Sequence, residues 1–141
     1  FETLFMVSEA ALNNCNKFFE LCEGGKDGSM EYVAEGASFS CDALPDIKDV
    51  DSYVAWMKGL ANTTMPGCSY DLHSSTTSET TVVYFATFHG THSGDGGPVP
   101  PTGKTTASRY VYVLEVNSDN KIKNMTKVWN APAAFAQLGW A

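Results

Sequence analysis

Residues 105–129 read TTASRYVYVLEVNSDNKIKNMTKVW, and their alternation decides the fold. Apolar and β-branched side chains recur at alternate positions on both sides of Ser118-Asp119-Asn120. This predicts two strands, Thr105 to Val116 and Lys121 to Trp129, joined as a tight hairpin. Upstream, Thr81 to His92 has the same composition, and Cys68, Tyr70 and Leu72 alternate with polar neighbours. Between these, Ser93 to Lys104 holds four glycines and three prolines. It lacks the spacing and the helix start of a phosphate cradle, so so stiff a loop is expected to cap an opening.

Before residue 68 the period is helical. Leu4, Phe5, Val7, Ala11, Leu12, Cys15, Phe18, Phe19 and Cys22 form one apolar stripe, stopped at Gly24-Gly25. A short helical piece is expected from Ser29 to about Glu35, ended by Gly36, then a brief extended segment at Phe39 and Cys41. Asp49 or Asp51 can cap a further helix whose stripe is Tyr53, Val54, Met57, Leu60 and Ala61, closed by Pro66-Gly67. Asn130 caps a final short helix, with Pro132 in its first turn and Gly139 past its end. Helices followed by an antiparallel meander predict one α+β domain over residues 1–141, a strongly curved antiparallel sheet wrapped around the N-terminal helices.

Composition narrows the partners. Nine basic residues stand against sixteen acidic ones, a net charge of −7 and a pI near 4.7. The densest cationic cluster is only Lys121, Lys123 and Lys127, so nucleic acid is not an expected partner. No apolar run reaches the roughly 18–20 residues that span a bilayer, and no basic-then-apolar signal segment opens the sequence. A cytoplasmic protein is expected, although the sequons Asn62-Thr63-Thr64 and Asn124-Met125-Thr126 leave secretion open. Cys15 and Cys22 lie about 10 Å apart along one helix, too far to bridge. Cys41 and Cys68 could pair with these or with each other, but buried free thiols are the simpler reading. No metal-ligand spacing is present, and neither a metal nor a cofactor is expected.

The strand faces point to a site. One face carries Val82, Tyr84, Ala86 and Phe88, with His92 near the strand's end, then Ser108, Tyr110, Tyr112 and Leu114, then Met125, Lys127 and Trp129. With the hairpin centred near Asp119-Asn120 and the longer loop near Pro98, a row Tyr84–Tyr112–Lys127 crosses the concave face. The other face shows Val83, Phe85, Thr87, Val111, Val113, Thr126 and Val128, without the charges of a solvated surface. A second copy packed sheet to sheet, a homodimer through the outer face, is the expected cover.

Lys127 is the sharpest candidate. An ammonium among Met125, Trp129 and tyrosines is disfavoured by desolvation, which suits a base or imine-forming amine; left charged, it would hold an anion or a developing enolate. The plain alternative is a lysine that snorkels to water at the sheet edge. His92 could relay protons or fix its loop through a backbone hydrogen bond. His89 points to the outer face and His73 reads as surface. Paired carboxylates are not expected on the inner face, since Glu115 has the outer parity. Tyr53, Trp56 and Met57 read as core, or as an apolar wall where they meet a pocket.

Gly90-Thr91-His92-Ser93-Gly94, Pro100-Pro101-Thr102-Gly103, Lys121-Ile122-Lys123, Lys127-Val128-Trp129-Asn130 and Gln137-Leu138-Gly139-Trp140, in that order, resemble the SnoaL-like polyketide cyclases of the nuclear transport factor two-like superfamily. The resemblance implies a cone-shaped, cystatin-like α+β barrel with a deep apolar pocket, usually in a dimer. The cyclases close a ring by an intramolecular aldol step, using an aspartate on the last strand as acid/base. That position is Lys127 here; a pocket histidine of the cyclases falls near Tyr112, and His92 matches another histidine of the pattern.

The expectation is therefore a small-molecule pocket protein, an isomerase, cyclase or lyase acting next to a carbonyl on an apolar substrate. Lys127 would stabilise or generate an enolate, Tyr112 and Tyr84 would donate hydrogen bonds, and His92 would shuttle a proton. Tyr84, Tyr110, Phe88, Met125, Trp129 and Trp56 would line the ligand. The alternative is a non-catalytic dimeric module binding a small ligand in the same cavity.

Overall fold

The computed structural model describes residues 6–141. Helix α1 spans Glu9–Glu23; Ser8 caps it by accepting from the Ala11 N–H, and the chain turns off at Gly24. It thus begins later than the apolar stripe suggests. Val7 lies outside the helix with its N–H on the Ser78 carbonyl, and Leu4 and Phe5 fall outside the described residues. A single 3-10 turn, Ser29–Tyr32, leads into strand β1, Val33–Ser40. Helix α2, Val50–Gly59, is capped by Asp49, whose carboxylate accepts from Ser52 N at 2.7 Å, and it runs into a π-helical turn, Leu60–Thr64. Strands β2 (Ser69–Thr77), β3 (Thr81–Thr91), β4 (Thr105–Val116) and β5 (Ile122–Trp129) follow, then helix α3, Ala131–Leu138.

The sheet order is β1-β5-β4-β3-β2. From β2 to β5 the pairing is the expected antiparallel meander, but β1 lies parallel to β5, so the sheet is mixed. This corrects two readings. The helical piece expected as far as Glu35 gives way to strand at Val33, and the brief extended segment becomes an eight-residue edge strand. Its alternation was hard to see because Glu35 and Gly36 are exposed, with Gly36 at φ 72° inside a register shift between Val33 and Ser38. Further shifts fall at Leu72/Ser74 in β2 and at Glu115/Val116 in β4, and such bulges bend a strand.

The tight hairpin depends on Asn120, the one non-glycine residue at positive φ (63°) among the described residues. Asn117 supports it, its side-chain oxygen accepting from Asp119 N and Lys121 N. This turn fixes the β4–β5 register and pairs Tyr112 with Lys127, while β3–β4 pairs Tyr84 with Tyr112. The predicted row is present. Asn130 caps α3 through Ala133 N, and Gly139 ends it at φ 74°.

Residues of α1 (Ala11, Cys15, Phe18, Phe19, Cys22) and α2 (Val50, Tyr53, Met57) share one buried core with the inner sheet face. On the outer face Phe85 and Val128 are exposed and Val83, Val111, Val113 and Thr126 partly so. All four cysteines are free thiols, three of them buried. Among the described residues no helix is long and apolar enough to cross a membrane.

Candidate functional site

Alternation along β5 turns Lys127 inward, and the side chain is only 7% exposed. Its Nζ sits among five aromatic rings, with centroids at 4.7 Å (Trp129), 5.2 Å (Tyr53), 5.3 Å (Trp56), 5.4 Å (Tyr110) and 5.8 Å (Tyr112). Ring quadrupoles replace part of the hydration an ammonium loses, at about 0.5–2 kcal/mol per favourable contact. The ammonium donates one hydrogen bond, to the Tyr53 hydroxyl at 3.1 Å. Burial pulls the lysine's pKa below the usual value, and the charge of Glu23 opposes that fall.

Glu23 is the candidate site residue that the strand faces did not reveal. It closes α1 four residues after Phe19, so the stripe that carries Phe19 and Cys22 into the core also carries this carboxylate. It is 4% exposed. Oε2 accepts from the Tyr110 hydroxyl at 2.8 Å, and Oε1 accepts from the Tyr112 hydroxyl. Burial raises its pKa above the ordinary carboxylate value, while Lys127 and the two phenols pull it down. Desolvation and nearby negative charge raise the pKa of Tyr53, Tyr110 and Tyr112, so all three remain protonated donors at neutral pH. Tyr53 and Tyr112 are hydrogen-bonded to each other. Lysine and carboxylate are therefore linked through phenols, without a direct ion pair.

Above this polar floor lies a narrow, mainly apolar cavity. Glu23, Lys127, Tyr110 and Thr106 provide its polar groups; Trp56, Met57, Leu60, Met65, Phe88, Trp129, Leu138 and Trp140 form the rest. About 30 Å³ of it is open to the centre of a water molecule, where one water needs about 10–15 Å³. Trp56, Leu60 and Trp140 also border an outer groove of about 740 Å³, whose far wall is Asp95, Gly96, Gly97 and Pro98. The glycine-proline loop thus borders the groove next to the cavity and contributes nothing to the cavity lining itself.

Of the residues expected at the site, Lys127, Trp56, Phe88, Tyr110 and Trp129 line the cavity, and Tyr112 lies directly behind Glu23. Three are placed elsewhere. Tyr84 stacks on Phe19 of α1 at 4.5 Å and donates to Asn16 Oδ1 at 2.6 Å, so its hydroxyl is used beneath the helix and not in the cavity. Met125 is fully buried in the core outside the lining. His92 is also fully buried, with both ring nitrogens engaged: Nδ1 accepts from Trp140 Nε1 at 2.9 Å and Nε2 donates to the Gly96 carbonyl at 2.8 Å. That geometry uses the neutral ring to fasten the loop and the C-terminal tail, and it leaves no nitrogen facing the cavity. Strand parity, which assigns Glu115 to the outer face, says nothing of Glu23, a single carboxylate that arrives from a helix. Leu60, Met65, Thr106, Leu138 and Trp140 complete the lining without any sequence signal beyond apolar spacing.

A family model described as the SnoaL-like domain matches residues 16–125. No curated protein matches the sequence. Among solved structures, a protein of Jannaschia sp. CCS1 assigned as a SnoaL-like polyketide cyclase superposes with a TM-score of 0.78 at 17% identity, covering 94% of this chain and 93% of the other. AclR of Streptomyces galilaeus, assigned as a hydroxylase, gives 0.76 at 20% identity, covering 93% and 85%. An LEH-like epoxide hydrolase of M. tuberculosis gives 0.66 at 11% identity, covering 92% and 89%. At these identities the likeness concerns the fold.

Proposed function

The chain belongs to the SnoaL-like domain family, and on that premise we propose that it is an enzyme of the isomerase, cyclase or lyase type acting next to a carbonyl. Neighbours of the same fold are assigned to different chemistries, so the residues must carry the argument. One observation carries it: a buried lysine and a buried carboxylate share the floor of an apolar cavity. Burying two ionisable groups without a direct ion pair costs several kcal/mol, which a purely structural core avoids with apolar side chains. In this reading the substrate's carbonyl oxygen meets the Lys127 ammonium, which stabilises the enolate as it forms. Glu23, with its raised pKa, removes the proton beside the carbonyl and returns it at the product carbon. The aromatic walls exclude water and favour an apolar substrate, whose bulk lies in the outer groove once Trp56, Leu60 or Trp140 yields.

The narrowness of the cavity favours a second reading, a non-catalytic module that binds a small apolar ligand. In either case we propose a homodimer through the outer face, where Phe85 and Val128 would otherwise remain in water.

A panel of enones, β-keto acids and aryl ketones, screened first by thermal shift and then for turnover or solvent-deuterium exchange, tests the choice. A ligand at a hundredfold its Kd adds about 2.7 kcal/mol of stability. Exchange at the carbon beside the carbonyl that disappears in Lys127→Met supports the enzyme. A thermal shift with neither exchange nor turnover supports the binding module.

A further inference from the structure

Four side chains from four elements, α1, α2, β4 and β5, form one uninterrupted line of hydrogen bonds. Lys127 Nζ donates to Tyr53 at 3.1 Å, the Tyr53 hydroxyl meets the Tyr112 hydroxyl, and Tyr112 donates to Glu23 Oε1. All four are at least nine-tenths buried. Because Tyr112 gives its proton to Glu23 and Tyr53 accepts from the ammonium, Tyr53 donates to Tyr112 and the line runs in one direction, from ammonium to carboxylate. Tyr110 completes the carboxylate's shell from the side, on Oε2.

We propose that this line is a proton relay, so that Lys127 and Glu23 act as one acid/base unit that exchanges a single proton through two phenols. The balance is simple. A proton leaves Lys127 Nζ for the Tyr53 oxygen, the Tyr53 proton passes to the Tyr112 oxygen, and the Tyr112 proton passes to Glu23 Oε1. Ammonium plus carboxylate become amine plus carboxylic acid; both phenols are restored and the net charge does not change. Desolvation acts in favour of the exchange, since it disfavours the charged form at both ends. The other titratable groups around the pair are the phenols of Tyr110 and Tyr70 and the thiols of Cys22, Cys41 and Cys68. Glu23 and Lys127 are the charged groups of the cavity lining.

The consequence for chemistry is a site that can present either an acid or a base at either end. When a substrate gives a proton to Glu23 and takes one from Lys127, the pair is left as amine and carboxylic acid, and the relay run backwards restores ammonium and carboxylate without a proton from bulk water. Tyr53 and Tyr112 are positioning residues here, acting through the two end groups. The catalytic use of the relay rests on the function proposed above; the relay itself is a property of the substrate-free chain and can be tested there.

The test is NMR on the substrate-free protein labelled at glutamate carboxyl carbons and lysine Nζ, with Glu23→Gln and Lys127→Met identifying the two signals. The expected result is one exchange-averaged signal at each end, both moving with pH together. Tyr53→Phe keeps the ring but removes the bridging hydroxyl, and Tyr112→Phe breaks the line at the next link. Each is expected to abolish the averaging and leave two ends that broaden or split separately. Melting curves show which variant keeps its fold, and either one suffices. Unchanged averaging in a folded variant, or a Glu23 signal in the wild-type chain that stays ionised wherever ordinary carboxylates are ionised, overturns the relay. A relay seen in this experiment beside an absence of turnover on every carbonyl compound sinks the proposed function and leaves the relay standing.

Discussion

Lys127 on β5 donates to the hydroxyl of Tyr53 on α2 at 3.1 Å, so the sheet's one buried cation is fastened to the helix that roofs it. The bond decides where the nitrogen goes. A lysine at the last inner position but one of a strand could have snorkelled past the sheet edge. Tyr53, stacked on Phe39 at 4.5 Å, holds it among the rings instead.

Lys127→Met should keep the fold and lose the chemistry. Methionine has nearly the same length and suits an aromatic surround, and replacing a buried charge by an apolar side chain is often neutral or stabilising. If the lysine holds a developing enolate, removing it lowers kcat by about a hundredfold or more. Single-turnover kinetics on a substrate found in the carbonyl panel checks this; an unchanged kcat removes Lys127 from the reaction.

Glu23 should become a stability switch once that lysine is gone. Its pKa in the folded protein is raised, so the folded state holds the proton more tightly than the unfolded chain. The stabilising contribution is full below the unfolded value of about 4.3 and is lost as pH rises through the folded pKa. Without Lys127 nothing of opposite charge limits that rise. Lys127→Met should therefore lose stability with increasing pH relative to Lys127→Met/Glu23→Gln, the two converging toward acid in urea titrations. A gap independent of pH contradicts the assignment.

His92→Leu should loosen the glycine-proline loop without touching the cavity floor. It leaves the Trp140 indole N–H and the Gly96 carbonyl without their partner, a loss of about 2 kcal/mol or more. Gly94→Ala attacks the same seat from the other side, because a Cβ there would lie 1.8 Å from the Thr63 carbonyl oxygen. Both variants should show a lower melting temperature and earlier proteolytic cleavage within residues 93–104. Cleavage elsewhere first would mean that the loop is held by other contacts.

Val128→Glu should abolish the proposed dimer. The side chain is 60% exposed on the outer face, so a lone chain tolerates the charge within about 0.5 kcal/mol. Light scattering should then give the dimer mass for the wild-type chain and the monomer mass for the variant. A wild-type monomer ends the proposal.

Much of the architecture was legible from local rules. Period-two patterns placed β3, β4 and β5, a three-residue turn set the β4–β5 register and the centre of the longer loop near Pro98 the β3–β4 register, and the row Tyr84–Tyr112–Lys127 followed from these together. What escaped depends on how separate elements meet. Strand β1 buries only Ala37 and Phe39, too few positions to reveal alternation. Glu23 is invisible to strand parity, because a helix ending against a sheet can deliver a carboxylate just as well as a strand. The signal was available: positions 15, 19 and 22–23 share one helical face, and a glutamate there either ends in water or enters the core. Tyr84 misled for the converse reason. It has the right parity, but Phe19 covers that part of the face, and parity alone cannot say which helix a strand residue meets.

The parallel pairing of β1 with β5 joins residues 33–40 to residues 122–126, and Glu23 with Lys127 spans nearly the same stretch of chain. A nascent polypeptide grows from the N-terminus at about 5–20 residues per second, so its first edge strand and its inward carboxylate exist for several seconds before their partners are made. The pairing of Lys127 with Glu23 is accordingly among the last long-range contacts open to these residues during synthesis: until residue 127 is added, the inward carboxylate has no cation to face.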